Sequence, residues 1–134
     1  MKGDQPKIHF VPKGWGFEKW IVNKPEYCGK LLYIVKDKRC SLHYHKLKDE
    51  VFYVQSGLLK IYYSDDPRME NIAKWKESFG DYKNFCETAI LKPGDNFHVP
   101  PGRYHQLVGL QDTELFEFST EHKDTDSYRL VAGD

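Results

Sequence analysis

The stretch Cys40-Ser41-Leu42-His43-Tyr44-His45-Lys46-Leu47-Lys48-Asp49-Glu50-Val51-Phe52-Tyr53-Val54-Gln55-Ser56-Gly57 decides how this chain folds. Side chains alternate between the two faces of a strand, so His43 and His45 point to one side and Tyr44 to the other. Two imidazoles one strand-step apart can share one metal ion. Glu50 opens the next run and lies on the side of Phe52 and Val54. That β-branched and aromatic run, residues 50–55, is followed after Ser56-Gly57 by a second, residues 58–63. A separation of two residues predicts a β-hairpin.

Working outward, residues 17–22 alternate loosely, and residues 31–35 (Leu-Leu-Tyr-Ile-Val) form a short apolar run suited to a strand buried on both faces. Further strands are expected over residues 88–91, 96–99, 104–108 and 114–120, with Lys92-Pro93-Gly94-Asp95 and Pro100-Pro101-Gly102 as turns. This rhythm predicts an all-β sandwich or barrel. Residues 65–87 break it: they are polar, with Asp66-Pro67 ahead of Met69, Ile72 and Trp75 at helical spacing. They read as one short helical insertion, Asp66 its N-cap and the Met-Ile-Trp stripe packed on the barrel exterior.

A chain of 134 residues and 15.8 kDa fits one domain. Its 20 basic and 20 acidic residues cancel, leaving no surplus for a nucleic-acid backbone. A charged fraction of 30%, a mean hydropathy of −0.70 and the lack of an apolar run near the roughly 18 residues of a membrane span argue against a transmembrane chain. Residues 1–6 hold no apolar segment of a secretory signal, and Cys28, Cys40 and Cys86 are odd in number without C-x-x-C spacing. They read as free thiols, and the expected location is cytoplasmic. Phe10, Trp15, Phe17 and Trp20 give residues 8–22 more apolar surface than a terminal arm needs, which predicts a homodimer.

Beyond His43, His45 and Glu50, a third imidazole, His105, follows the Pro100-Pro101-Gly102 turn. Three imidazoles and one carboxylate suit one divalent transition metal such as Fe, Mn, Ni, Co or Zn. His9, His98 and His122 fall outside this register, with His98 expected at the surface or as a hydrogen-bonded wall residue.

His43-x-His45, four residues, Glu50, six residues, Gly57 resembles the first motif of the cupin superfamily. Gly94, five residues, Pro100-x-Gly102, two residues, His105 resembles the second. Asp37 stands where the first motif usually begins with Gly, and Gly109 where the second usually ends with Asn. The resemblance implies a cupin jelly-roll barrel (double-stranded β-helix) spanning residues 1–134, with motif one at 37–57, the insertion at 65–87, motif two at 94–109, and His43, His45, Glu50 and His105 as ligands to an internal metal.

A wider similarity joins Val11-Pro12-Lys13-Gly14-Trp15-Gly16-Phe17-Glu18, the segment Phe97 through His105, and Leu115-Phe116-Glu117 with Asp124 through Arg129 to the cupin domain of type II mannose-6-phosphate isomerases. Lys13-Gly14 replaces the family's Pro before Trp, and His43 stands where those enzymes carry Gln. The implied activity is a metal-dependent sugar or sugar-phosphate isomerase or epimerase on a small carbohydrate substrate. An iron dioxygenase and a non-catalytic sugar-binding cupin are the alternatives. Within the isomerase reading Glu117 is the candidate catalytic base, or else a solvent-facing edge residue. Arg103 and Arg129 are candidate substrate contacts for a phosphate or carboxylate, or else solvated. Tyr33, Tyr53, Tyr62 and Trp20 are expected in the barrel core.

Overall fold

A computed structural model describes residues 3–134. Its strands are β1 (His9–Lys13), β2 (Gly16–Asn23), β3 (Cys28–Ile34), β4 (Leu42–Tyr44), β5 (Glu50–Ser56), β6 (Leu59–Ser64), β7 (Glu87–Leu91), β8 (Asn96–Val99), β9 (Tyr104–Gly109), β10 (Thr113–Ser119) and β11 (Tyr128–Val131). They form two antiparallel sheets facing each other, one of six strands in the order β1-β2-β3-β10-β5-β8 and one of five in the order β11-β4-β9-β6-β7. The chain is a jelly roll.

Strand register separates a dry end from a polar end. In the six-stranded sheet the inward rungs run Leu32–Leu115–Val54, then Lys30–Glu117–Phe52, then Cys28–Ser119–Glu50. The first rung joins Ile34, Leu59, Ile61 and Leu107 in the apolar core. The later rungs place lysine and two carboxylates on the same inner faces. Period-2 alternation therefore fills one end of the barrel with hydrocarbon and lines the other for chemistry.

The expected hairpin between β5 and β6 does not form. β5 pairs with β10 and β8, whereas β6 pairs with β7 and β9 in the other sheet. Ser56-Gly57 thus carries the chain from one sheet to the other. Gly57 has φ 93°, and a Cβ there would stand 2.3 Å from the Asp112 carbonyl oxygen, so the corner requires glycine.

The two departures from the motifs meet. Asp37 adopts φ 66°, a left-handed conformation that Asp tolerates where Gly is usual. Its amide donates to the Gly109 carbonyl at 2.8 Å, and the Gly109 amide donates to Lys38 at 3.0 Å.

The insertion between β6 and β7 contains two short helices, α1 (Met69–Lys74) and α2 (Lys76–Phe79), and a 3-10 turn at Tyr82–Phe85, where one helix was expected. Asp66 does not cap α1; its carboxylate accepts from the Arg68 amide and pairs with the Arg68 guanidinium. Met69 and Ile72 are fully buried with Leu42, Tyr82 and Tyr104, so they pack on the barrel exterior as expected. Trp75 falls off that stripe and is 55% exposed. Tyr33 and Tyr53, expected in the core, stand on the outer face of the six-stranded sheet, because their alternation parity is opposite to that of Leu32 and Val54.

Candidate metal centre

In the five-stranded sheet β4 and β9 lie side by side with His43 directly opposite His105. His45 follows two residues on, and Glu50 begins β5 in the facing sheet. The ligand nitrogens of His43, His45 and His105 all lie within 4.8 Å of one another. Glu50 Oε2 is 3.3 Å from His45 Nε2 and 3.8 Å from His105 Nε2. The four residues named from the sequence come together.

Backbone carbonyls orient the rings. The Nδ1 atoms of His43, His45 and His105 lie 3.1, 2.9 and 3.0 Å from the carbonyl oxygens of Ser41, Asp126 and Arg103. A carbonyl only accepts, so each Nδ1 carries the proton and each Nε2 presents a lone pair. Burial keeps the rings neutral, bringing His45 down to about 4 and His105 to about 3, and His43 is also lowered by burial and by its two neighbours.

Among the described residues, two buried side-chain atoms have no hydrogen-bond partner: Glu50 Oε2 and His105 Nε2. They face each other at 3.8 Å. Lone pairs and a carboxylate gathered in a buried site repel unless a cation joins them. Three neutral imidazoles and one carboxylate are a donor set that fits a divalent first-row ion.

Beside this cluster lies a buried ion pair. Lys48 Nζ is 2.5 Å from Glu117 Oε2 and 3.0 Å from His122 Nδ1, and Ser119 Oγ donates to the same Glu117 oxygen at 3.2 Å. Burial alone would raise the Glu117 carboxyl, but the ammonium groups of Lys48 and Lys30 outweigh it and hold the group ionised. For Lys48 burial opposes the charge, and Glu117 with Glu50 outweighs it. The Glu50 carboxyl is pushed up to about 8 by burial and by the negative charge of Glu117. One step outward, Lys30 lies 3.6 Å from Glu18 and 4.3 Å from the centre of the Trp20 ring. These groups line one cavity of about 750 Å³ that also contains the four candidate ligands.

Arg129 reaches the rim of this cavity from β11, directly across the ladder from His43. Arg103 does not line it. Its guanidinium is engaged by Asp65 at 2.9 Å and lies over Tyr63, which removes it as a cavity cation. Glu117 faces the lumen rather than solvent, and Trp20 and His122 line the cavity. His98 is at the surface, paired with Asp49 at 2.6 Å.

Sequence reasoning missed Lys30 and Lys48, and gave Asp126, which lies within the Asp124 to Arg129 resemblance, no role of its own. Lys30 shares the inward parity of Cys28, Leu32 and Ile34, a readable signal. Lys48 sits in a loop with no period to follow. Asp126 organises that loop: its carboxylate accepts from the amides of Lys46, Leu47 and Lys48 at 2.9 to 3.2 Å, while its own carbonyl orients His45. Asp126→Ala is expected to lower stability by about 3–5 kcal/mol, since hydrogen bonds to a charged acceptor contribute about 1.5–3 kcal/mol each and not additively. A thermal melt checks this, and a loss below 1 kcal/mol would contradict the assignment.

Two antiparallel sheets with an internal cluster of three histidines and a glutamate define a barrel of the cupin fold. No protein-family model matches the sequence. The chain is 26% identical over 110 residues to the D-lyxose ketol-isomerase of Cohnella laeviribosi, a match covering 77% of this chain and 60% of that enzyme. The chain therefore spans less than two thirds of its curated relative's length. KdgF from Halomonas sp. superposes with a TM-score of 0.65 at 18% identity, over 92% of this chain and 94% of KdgF. Oxalate decarboxylase of Bacillus subtilis, described with Mn(II) centres, superposes with a TM-score of 0.71 at 16% identity, over 92% of this chain and 30% of that one.

Proposed function

We propose that this chain is a metal-dependent aldose–ketose isomerase. The observation that carries the reading is one lumen holding both a three-histidine, one-carboxylate cluster and the buried Lys48–Glu117 pair. The curated relative, itself a sugar isomerase, supports it. His43, His45, Glu50 and His105 hold one divalent ion, which when bound polarises a sugar carbonyl as a Lewis acid. The ionised Glu117 carboxylate takes the proton from the carbon next to the carbonyl, and the electron pair left behind forms the carbon–carbon double bond of an enediol. The Lys48 ammonium donates to the oxygens of that enediol. Glu117 returns its proton to the neighbouring carbon, and a hydroxyl proton passes between the two oxygens, which interconverts aldose and ketose with atoms balanced.

The substrate is a small sugar or sugar phosphate. Inside the cavity Lys48 is paired with Glu117 and Lys30 with Glu18, which leaves Lys13 and Arg129, both lining it, as the cations open to a substrate phosphate or carboxylate. We read residues 1–134 as one cupin domain, working in a reducing cytoplasm on the strength of three free cysteines, and as a homodimer. The test supplies metal-loaded protein with matched aldoses and aldose phosphates in deuterated water without oxygen. Deuterium is expected on the carbon beside the carbonyl of at least one of these sugars. Oxygen uptake by the iron form without any exchange would replace the reading with a dioxygenase, and silence in both assays would leave a sugar-binding barrel.

A further inference from the structure

The wall of the cavity beyond Glu117 holds two charged side chains that the proton transfer does not use. Strand alternation sends Glu18 and Trp20 of β2 and Lys30 of β3 to one inner face. The register sets Trp20 opposite Lys30 and Lys30 opposite Glu117, and on the far side of Glu117 the same rung continues into Phe52. Trp20 supports the two charges: its indole Nε1 donates to Glu18 Oε1 at 2.8 Å, and the Lys30 ammonium lies 4.3 Å from the centre of its ring. The Lys30 side chain is only 2% exposed, yet its ammonium donates to no acceptor among the described residues. Glu18 Oε1 stands 3.6 Å from it, an ion pair too long for a hydrogen bond. A buried ammonium carries three donors, and leaving them unused costs free energy. Glu18 Oε2 likewise accepts from no donor among the described residues. Both groups line the cavity that contains the candidate metal ligands.

We infer that Lys30 and Glu18 form a subsite for the distal hydroxyls of the substrate and so set the length of sugar chain that the cavity prefers. A hydroxyl both donates and accepts, so an ammonium with unused donors beside a carboxylate with an unused oxygen matches two hydroxyls on neighbouring carbons. Assigning those hydroxyls to a reacting sugar rests on the isomerase reading, in which the first two carbons lie between the metal ligands and Glu117. From Glu117 the rest of the chain has two directions along the rung. Towards β5 it meets Phe52, whose ring offers a hydroxyl no partner. Towards β2 it meets Lys30 one strand away and Trp20 two strands away, about 5 and 10 Å at the usual strand spacing. The hydroxyls of a five-carbon chain reach into that interval, and a three-carbon chain ends short of it. A phosphate dianion would meet the carboxylates of Glu18 and Glu117 here, so the subsite takes neutral hydroxyls, and a terminal phosphate belongs with Lys13 and Arg129.

Calorimetric titration of the metal-loaded protein with linear polyols tests this without any turnover. Glycerol and the pentitols can all present a vicinal diol to the metal, but only a pentitol has hydroxyls left for Lys30 and Glu18. At least one of ribitol, arabinitol and xylitol is expected to bind the wild type about tenfold or more tightly than glycerol, the effect of one hydrogen bond to a charged group. Lys30→Met is expected to abolish that preference and Glu18→Gln to reduce it severalfold. The preference is a ratio measured on one preparation, so a smaller folded fraction cancels from it. Glu18→Gln, which keeps the side chain's shape, supplies the readout if Lys30→Met does not fold. A wild type that binds glycerol as tightly as every pentitol, or a preference that survives both substitutions, would overturn the proposal. A pentitol preference that both substitutions remove, found together with no deuterium exchange into any aldose, would uphold the subsite and end the isomerase reading.

Discussion

Chelation is expected to lower the melting temperature of the native protein by roughly 10 °C, and Glu50→Gln is expected to reverse that loss. A metal at about 100 times its dissociation constant stabilises by about 2.7 kcal/mol, and about 1 kcal/mol shifts a domain of this size by roughly 3–5 °C. Without the ion Glu50 Oε2 is buried and unpartnered 3.3 Å from a lone pair of His45. A glutamine amide would donate into that gap. In metal the wild type should therefore melt above Glu50→Gln, and in chelator the order should invert. The inversion has a pH signature. The Glu50 carboxyl is raised in the fold from 4.5 to about 8, so its contribution is fully present below pH 4.5 and lost as pH rises towards 8. The advantage of Glu50→Gln in chelator should then grow from pH 4.5 to about 8 and level off above. The same order of melting with and without metal, at every pH, would show that Glu50 faces no ion.

The four candidate ligands were legible because alternation puts His43 and His45 on one face, and because the spacing of His43, His45 and Glu50, and of Pro100-Pro101-Gly102 and His105, resembles the two cupin motifs. The jelly roll was legible for the same reason. Ser56-Gly57 misled because two-residue spacing is a local signal, whereas the sheet that β6 joins is decided by pairing with β9, some forty residues away. Lys48 was hidden for the opposite reason. A lysine between polar neighbours ordinarily stays in water, and only the fold, by bringing Glu117 and His122 over the loop that Asp126 pins, gives it a buried partner. Leu31 and Tyr33 lie in the apolar run 31–35, which reads as buried on both faces, and only the strand register places them on the outside of the sheet.

Glu117→Gln is expected to reduce turnover by about 10²–10⁴-fold, the usual contribution of a positioned acid–base group, while Lys48→Met is expected to act first on stability. Removing Lys48 leaves the Glu117 carboxylate buried and unpaired, a change that costs about 3–5 kcal/mol when one partner of a buried pair is lost. The same substitution takes the donor from His122 Nδ1, while its Nε2 still faces Asp124 at 2.9 Å. Removing both charges removes the penalty. Lys48→Met with Glu117→Leu should therefore regain most of the stability that Lys48→Met alone loses, since a well-packed apolar pair is often as stable as the buried ion pair it replaces. Activity should not return, because the carboxylate that moves the proton is gone. Melting temperature and deuterium exchange, measured on the same three variants, separate the two roles. If the double variant recovers both stability and exchange, the pair is structural and the proton is carried by another group; if it recovers stability alone, Glu117 is the base.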